Sequence, residues 1–173
     1  MRARVDATKI LRLMEALGTA SRGPGRVYLT GGATAVLLNW RPTTIDVDLK
    51  LDPEPPGAFD AIARLKDELD VNVELAAPDQ FIPAIPGWHV RSLFIAKHGQ
   101  VEFFHYDFLG QALSKIERGH TQDRLDVRAM LERSLVQPDA LRAAFEQIEP
   151  FLKRFPAIDP DSFRAKLHEA LDE

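Results

Sequence analysis

An aspartate pair that follows a glycine turn constrains the fold of this chain more than any other feature. The segment reads VYLTGGATAVLLNWRPTTIDVDLKL, with Gly31 and Gly32 after one apolar strand and Asp46 and Asp48 within the next. Successive side chains of a β-strand point to opposite faces, so the alternation predicts both carboxylates on one face and the apolar residues beside them on the other. The segment therefore predicts a strand, turn, helix and strand unit with two acidic groups on one side.

The acidic pair and the glycines together predict a site for a divalent cation and a triphosphate. Hard cations such as Mg²⁺ or Mn²⁺ take oxygen ligands and commonly lie between one or two carboxylates and substrate phosphates. A glycine turn lets the backbone approach a ligand closely, and the short helix after it directs free N–H groups toward an anion. Two carboxylates on one face of an otherwise buried strand also repel each other unless a cation lies between them. Thr44, in the loop before Asp46, is a further candidate for phosphate contact.

Periodicity along the chain predicts an α+β fold. Alternating apolar residues and turn signals predict strands over residues 27–29, 45–51, 71–75, 92–96 and 101–106. Apolar residues at helical spacing predict helices that begin after Asp6 and end before Gly18, and then over residues 33–39, 58–69, 109–117, 123–135, 138–155 and 161–171, with a kink at Pro150. We expect a small mixed sheet flanked by helices in residues 1–108, the catalytic core. A C-terminal helical bundle, residues 109–173, is expected to pack on this core as a single compact unit.

Glu74 is the candidate third carboxylate. Its predicted strand follows one helical crossover after the strand of Asp46 and Asp48, so the two strands can lie side by side with Glu74 near the metal. A two-metal site needs a base or a third ligand for the attacking hydroxyl group. The alternative is that Glu74 and Asn72 mark the solvated face of an amphipathic strand, and the residues alone leave both interpretations open.

A second unit, downstream, combines cations with carboxylates. Lys115 and Arg118 lie three residues apart on one predicted helix face, where they would present two positive charges to a triphosphate. Asp123 and Asp126 repeat that spacing on the next helix. The alternative is an exposed helical hairpin with routine surface salt bridges. The acidic strand favours the functional interpretation, and Asp107, just before the first of these helices, is expected to be its N-cap.

Composition narrows the class of protein. The 173 residues contain no cysteine, which excludes disulfides, thiolate nucleophiles and zinc–sulfur sites. A net charge of −4 gives no overall attraction to nucleic acid, so a polynucleotide partner would need a local patch. The longest uncharged run, residues 27–40, is shorter than the roughly 17–25 residues of a membrane span. The charged N-terminus lacks the apolar region of a signal peptide, so we expect a cytoplasmic protein with no membrane partner.

The glycine pair, the Asp-x-Asp strand and the third acidic residue resemble the nucleotidyltransferase superfamily that shares its catalytic domain with DNA polymerase β. Within it, the chain is most similar to small bacterial nucleotidyltransferases related to the AbiE and MenT toxins. This similarity covers residues 26–130 and rests on two motifs, Arg41-x-Thr43-Thr44-x-Asp46-x-Asp48 and Lys115-x-x-Arg118-Gly…Asp123-x-x-Asp126.

The resemblance implies a nucleotidyltransferase fold and transfer of a nucleoside monophosphate from an NTP to a hydroxyl acceptor, with release of pyrophosphate. It implies that Asp46 and Asp48 hold Mg²⁺ and act in catalysis with Glu74. The nucleotide-binding residues it implies are Gly31, Gly32, Thr44, Lys115, Arg118 and Asp123. The acceptor in the toxin relatives is the 3′ end of tRNA, so we expect an RNA or tRNA acceptor and, for a toxin of a toxin–antitoxin system, an antitoxin protein. The alternative is a nucleotide-binding or interaction module of the same fold that is weak or inactive in catalysis.

Overall fold

The predicted strands form one mixed five-stranded sheet in the computed structural model, which describes residues 2–172. The strands are β1 (Gly25–Thr30), β2 (Asp46–Leu51), β3 (Asn72–Leu75), β4 (Leu93–His98) and β5 (Val101–His105), in the spatial order β3-β2-β1-β5-β4. β1 is antiparallel to β2 and parallel to β5, β2 is parallel to β3, and β4 and β5 form an antiparallel hairpin. The prediction of an α+β fold with a small mixed sheet flanked by helices is confirmed.

Eight α-helices accompany the sheet in the described residues. They are α1 (Ala7–Ala20), α2 (Gly32–Leu37), α3 (Ala58–Glu68), α4 (Trp88–Arg91), α5 (Phe108–Arg118), α6 (Thr121–Glu132), α7 (Pro138–Ile148) and α8 (Pro160–Asp172). A 3₁₀ segment, Glu149–Arg154, follows α7, so the helix divides next to Pro150 as predicted. None of the helices in this part of the chain is long and apolar enough to cross a membrane.

Two acidic N-caps were predicted and are confirmed. The Asp6 side chain accepts a hydrogen bond of 2.9 Å from the Lys9 backbone amide and begins α1. The Asp107 side chain accepts one of 3.2 Å from the Leu109 amide and begins α5. Each satisfies an N–H group that has no partner within its helix. Arg91 also donates two hydrogen bonds to the Asp107 carboxylate, so this cap is paired with a cation.

The prediction that α1 ends before Gly18 was wrong, since the helix continues to Ala20. A Cβ atom at Gly18 would lie 2.4 Å from the Cβ and 2.5 Å from the backbone oxygen of His98 in β4. Glycine at this position therefore lets a helix approach a strand closely. It does not provide a left-handed residue that terminates the helix.

The sheet buries one face against α1 and α3. The apolar core on that face includes residues from β1, β2, β3 and β5: Val27, Leu29, Val47, Leu49, Val73, Val101 and Phe103. Ile45 was expected to pack there with Val47, but β2 begins only at Asp46 and the Ile45 side chain is more than half exposed. The neighbouring Thr44 forms an isolated bridge with Val5 instead, so the alternation of the strand does not extend to Ile45.

The chain divides into two compact units. The first, here called the sheet unit, comprises residues 2–77 and 92–106 and contains all five strands. The second, here called the helical unit, comprises residues 78–91 and 107–172 and contains α4 to α8. Each unit holds one of the two groups of predicted site residues.

Candidate metal and nucleotide site

The three predicted carboxylates lie on one face of the sheet. Asp48 is the register partner of Glu74 in the parallel pairing of β2 and β3, and Asp46 is the partner of Asn72. Residues in register share a face of a sheet, and residues two apart along a strand do too. The intervening Val47 is fully buried on the opposite face. β2 and β3 therefore place Asp46, Asp48 and Glu74 together on the face away from the apolar core.

Asn72 connects two of these carboxylates. Its side-chain amide donates a hydrogen bond to Asp46 Oδ1 and a second, of 3.3 Å, to Glu74 Oε1. An amide donor between two carboxylates reduces their mutual repulsion and fixes their orientation. Sequence reasoning treated Asn72 only as a marker of the solvated face. Its position two residues before Glu74 was the available signal, because that spacing places both side chains on one face.

The backbone at Gly31 lies against the carboxylate of Asp48. Gly31 has φ of 62° and ψ of −132°, a conformation that side chains rarely adopt. A Cβ atom there would lie 3.1 Å from Asp48 Oδ2. The other oxygen, Oδ1, is buried from solvent. The turn thus brings main chain next to the acidic pair, as the spacing predicted.

Gly32 makes room for Thr44. A Cβ atom at Gly32 would come within 2.0 Å of Thr44 Oγ1 and 3.3 Å of Arg41 Nη1. Thr44 is buried, and its hydroxyl donates a hydrogen bond of 3.1 Å to the backbone oxygen of Asp46. The tertiary structure therefore groups the predicted phosphate-binding residues of the sheet unit around the start of β2.

Asp46 and Asp48 could hold a metal ion only together with ligands from outside the described residues. Among residues 2–172, no group of three or more acidic or histidine side chains is arranged to hold a metal ion by itself. Mg²⁺ is commonly held by one or two carboxylates together with substrate phosphates and water, in place of a full set of protein ligands. The buried oxygen of Asp48 and the glycine backbone beside it are suited to that kind of site.

The predicted cations of the helical unit form an ion-pair network with two aspartates. Lys115 Nζ lies 2.8 Å from Asp126 Oδ2 and 3.8 Å from Asp123 Oδ1. Arg118 binds Asp123 through two hydrogen bonds of 2.7 and 2.6 Å. Lys115, Asp123 and Asp126 are buried, whereas 61% of the Arg118 side chain is exposed. The network therefore joins α5 to α6 and leaves one guanidinium at the surface.

The network controls the charge of Asp123. Burial raises the pKa of this carboxyl group, but the hydrogen bond and charge of Arg118, the charge of Lys115 and the His120 backbone amide together outweigh burial and lower it. The His120 amide donates to Asp123 Oδ2 at 3.1 Å and joins it to the first turn of α6. The alternative to a functional role was that Asp123 forms surface salt bridges with arginines of its own helix. Its cationic partners, Lys115 and Arg118, lie instead on the preceding helix, α5.

His105 is a buried titratable residue that sequence reasoning did not identify. It is 3% exposed at the end of β5, and its Nδ1 atom lies 3.0 Å from Thr34 Oγ1 in α2. Burial lowers its pKa from 6.5 to about 4, so the ring is neutral at pH 7. No spacing in the sequence links Thr34 to His105, because the contact forms only when α2 packs near the end of β5.

Comparisons with known proteins identified no relative of this chain. No family model matches the chain, and neither the curated proteins nor the solved structures provided a match. The resemblance to nucleotidyltransferases therefore stays a prediction that rests on the motif residues.

Proposed function

We propose that the protein is a Mg²⁺-dependent nucleotidyltransferase that transfers a nucleoside monophosphate from an NTP to a hydroxyl group of an RNA or tRNA acceptor. The observation that supports this most is the pairing of Asp48 with Glu74 across β2 and β3, with the backbone of Gly31 against Asp48. Like charges in direct cross-strand register are unfavourable without a cation. A site that keeps two such carboxylates is suited to a substrate that binds together with a metal ion.

Each carboxylate has a role in this proposal. Asp46 and Asp48 would hold Mg²⁺ or Mn²⁺, which, when bound, neutralises the phosphate charge during phosphoryl transfer. Glu74, exposed at the edge strand β3, would accept the proton of the acceptor hydroxyl. Asn72 is a positioning residue, because its amide orients Asp46 and Glu74.

The transfer exchanges one phosphorus–oxygen bond for another. The acceptor oxygen forms a bond to the α-phosphorus while the bond from that phosphorus to the β-phosphate oxygen breaks. Pyrophosphate leaves with the electron pair of the broken bond, and the hydroxyl proton passes to Glu74 or to water. Catalysis of this step depends on positioning and charge stabilisation.

The nucleotide would be held by backbone and by cations. Gly31 and Gly32 of the turn and Thr44 of the loop before β2 are proposed to contact phosphate oxygens. In the helical unit, Lys115 and Arg118 are the candidate phosphate-binding cations, with Asp123 orienting Arg118 through its two hydrogen bonds. The Arg118 side chain is mostly exposed, whereas Lys115 is buried. Arg118 can therefore exchange its bond to Asp123 for a bond to phosphate with less change in solvation than Lys115.

The test is a label-transfer assay. The protein is incubated with Mg²⁺, each α-labelled NTP and total bacterial RNA, and compared with the double variant Asp46→Asn, Asp48→Asn. The matched control is Asp60→Asn, Asp67→Asn, which removes two exposed carboxylates from α3. We expect labelled RNA with the wild type and the control, and none with the first variant. Labelling that survives in the first variant would refute the proposed metal site.

A nucleotide-binding module without turnover is the second candidate. The observation that favours it is the amide of Asn72, which already engages oxygens of both Asp46 and Glu74. It predicts that NTP and Mg²⁺ raise the melting temperature of the protein although no label reaches RNA. The variant Asn72→Ala distinguishes the two candidates. In an active enzyme it should lower kcat for label transfer. In a binding module it should leave the rise in melting temperature caused by NTP largely unchanged.

A toxin role has its own test. We propose that, if the enzyme modifies tRNA, its expression in bacteria arrests growth and a partner antitoxin relieves the arrest. Growth arrest by the wild type but not by the Asp46→Asn, Asp48→Asn variant would support a toxin. Normal growth of cells that express the wild type, together with label transfer to RNA in the assay, would indicate a housekeeping enzyme.

A further inference from the structure

The sheet face that carries the carboxylates also carries a row of aromatic rings. Phe94 of β4 is the register partner of Phe104 of β5, Phe104 is the partner of Tyr28 of β1, and Tyr28 is the partner of Lys50 of β2. Register partners share a face, so the aromatic row extends across three strands, and Lys50 continues it on β2. Thr30 lies two residues after Tyr28 in β1, and its register partner Asp48 lies two residues before Lys50 in β2. Both therefore lie on the same face as the aromatic row.

One end of the aromatic row, Tyr28, lies two residues along β1 from Thr30, the register partner of Asp48. Two residues along a strand correspond to about 6.6 Å. The register places Tyr28 and Lys50 next to Thr30 and Asp48 along their strands. The two accessible rings lie further from Asp48, because β5 and β4 are the second and third strands from β2.

The rings are packed in a fixed arrangement with two of them accessible. Phe104 stacks on Tyr28 with centroids 5.3 Å apart, and Phe94 meets Phe104 edge to face at 5.6 Å. Tyr28 is buried, Phe104 is partly exposed, and Phe94 is 52% exposed although it is a large apolar side chain. Aromatic faces held open to solvent on a sheet surface are platforms on which unpaired bases stack.

Cations border the exposed rings. The Arg26 guanidinium carbon lies 5.7 Å from the centroid of the Phe104 ring, and 45% of the Arg26 side chain is exposed. The next row on this face joins Lys97, Glu102 and Arg26, which are register partners across β4, β5 and β1. This row carries two positive charges and one negative charge, and Arg26 lies 3.8 Å from Glu102. The carboxylates of the same face lie on β2 and β3, at the other side of β1. Arg26 and Lys97 are thus the cations beside the exposed rings that can neutralise phosphates.

We propose that this face of the sheet unit, at β4 and β5, binds an unpaired strand of RNA, with bases on Phe94 and Phe104 and phosphates on Arg26 and Lys97. The inference deepens the proposed function and rests on it for the role of the RNA as acceptor. Recognition by stacking tolerates any base, so this platform selects unpaired ends over duplex and does not select a sequence.

The experiment measures RNA binding without catalysis. Fluorescence anisotropy is recorded with a labelled single-stranded RNA of about 12 nucleotides, a length within the range that such platforms cover, in EDTA and without NTP. Phe94→Leu keeps an apolar side chain but removes the aromatic face, and Phe94→Trp keeps the face. Phe59→Leu is the matched control, because Phe59 is 57% exposed on α3 of the same unit.

We expect Phe94→Leu to weaken single-strand binding about tenfold, while Phe94→Trp and Phe59→Leu bind like the wild type. The same RNA in a duplex should bind more weakly. Lys97→Ala should reduce the salt dependence of log Kd by about 0.7, because it removes one cation that neutralises a phosphate. Arg64→Ala, in an exposed ion pair of α3, is the control for that slope and should leave it unchanged.

Two results would overturn the inference: unchanged binding by Phe94→Leu, or a wild-type dimer, seen by light scattering, that this substitution dissociates. The second result would assign the rings to a second copy of the chain. The Asp46→Asn, Asp48→Asn variant separates this inference from the proposed function. Loss of label transfer with unchanged RNA binding is expected if both hold. If the wild type transfers no label, Phe94-dependent RNA binding still decides the inference by itself.

Discussion

Glu74 lies directly opposite Asp48 in the parallel pairing of β2 with β3, so two carboxylates face each other across neighbouring strands. Cross-strand pairs of like charge destabilise a sheet. Asn72 donates a hydrogen bond to Glu74 and another to Asp46, which offsets part of that repulsion without adding positive charge. We therefore expect the acidic face to reduce the free energy of unfolding, and a bound cation to offset that reduction.

Glu74→Gln should change stability and metal affinity in opposite directions. Removal of one of the facing charges is expected to raise the free energy of unfolding by up to about 1 kcal/mol in EDTA. The same substitution should weaken Mn²⁺ binding, because a carboxylate near the metal is lost. Urea unfolding measures the first effect, and a Mn²⁺ titration followed by electron paramagnetic resonance measures the second. Glu15→Gln, at an exposed position of α1, is the control, and lower stability of Glu74→Gln would contradict the prediction.

Lys115→Met should destabilise the protein more than Arg118→Met. Lys115 lies 2.8 Å from Asp126, and its loss would leave that fully buried carboxylate without its nearest cation. Breaking a buried ion pair from one side costs about 3–5 kcal/mol. Arg118 is mostly exposed, and after its removal Asp123 keeps the His120 amide and the Lys115 charge, so we expect a smaller loss. Urea unfolding near neutral pH measures the free energy of unfolding of both variants. Equal losses in the two variants would show that burial of the ion pair does not determine the loss of stability.

Stability should decrease in mild acid because of His105. The unfolded histidine takes up a proton near pH 6.5, whereas burial delays protonation of the folded one to about pH 4. The unfolded state therefore binds more protons between these values, and the contribution of His105 is full above pH 6.5 and is lost as the pH falls toward 4. Between about pH 7.5 and pH 5.5 the loss is about 1.4 kcal/mol. Urea unfolding at both pH values, repeated with His105→Gln, measures it, and an equally steep pH dependence in the variant would contradict the assignment.

Gly18→Ala should destabilise the protein, although alanine is the better helix former. In an ordinary helix interior this substitution stabilises by about 1 kcal/mol. Here the new Cβ atom would lie 2.4 Å from the His98 Cβ and 2.5 Å from its backbone oxygen, so α1 and β4 would have to separate. Thermal unfolding provides the measurement, with Thr19→Ala on the exposed side of α1 as the control. A melting temperature at or above that of the wild type would show that the contact relaxes easily.

Local patterns in the sequence predicted the five strands, every helix of the described residues except the one-turn α4, and the strand face that Asp46 and Asp48 share. Alternation around Asp46 and Asp48 predicted that both lie on one strand face, because side-chain direction depends only on the backbone of that strand. The caps Asp6 and Asp107 were predicted for a similar reason, since each bonds an amide two or three residues away. Gly18 was misinterpreted because a glycine near a helix end has the same local signature whether it ends the helix or admits a neighbour.

The sequence by itself predicted the strand, turn or helix on which each candidate site residue lies. Only the tertiary structure decided that Glu74 is opposite Asp48, that Asn72 lies between carboxylates, and that Lys115 is paired with Asp126. Strand order and register decide the first two, and the packing of α5 on α6 decides the third. All three depend on burial of apolar surface between segments far apart in the chain, which no local pattern of residues encodes.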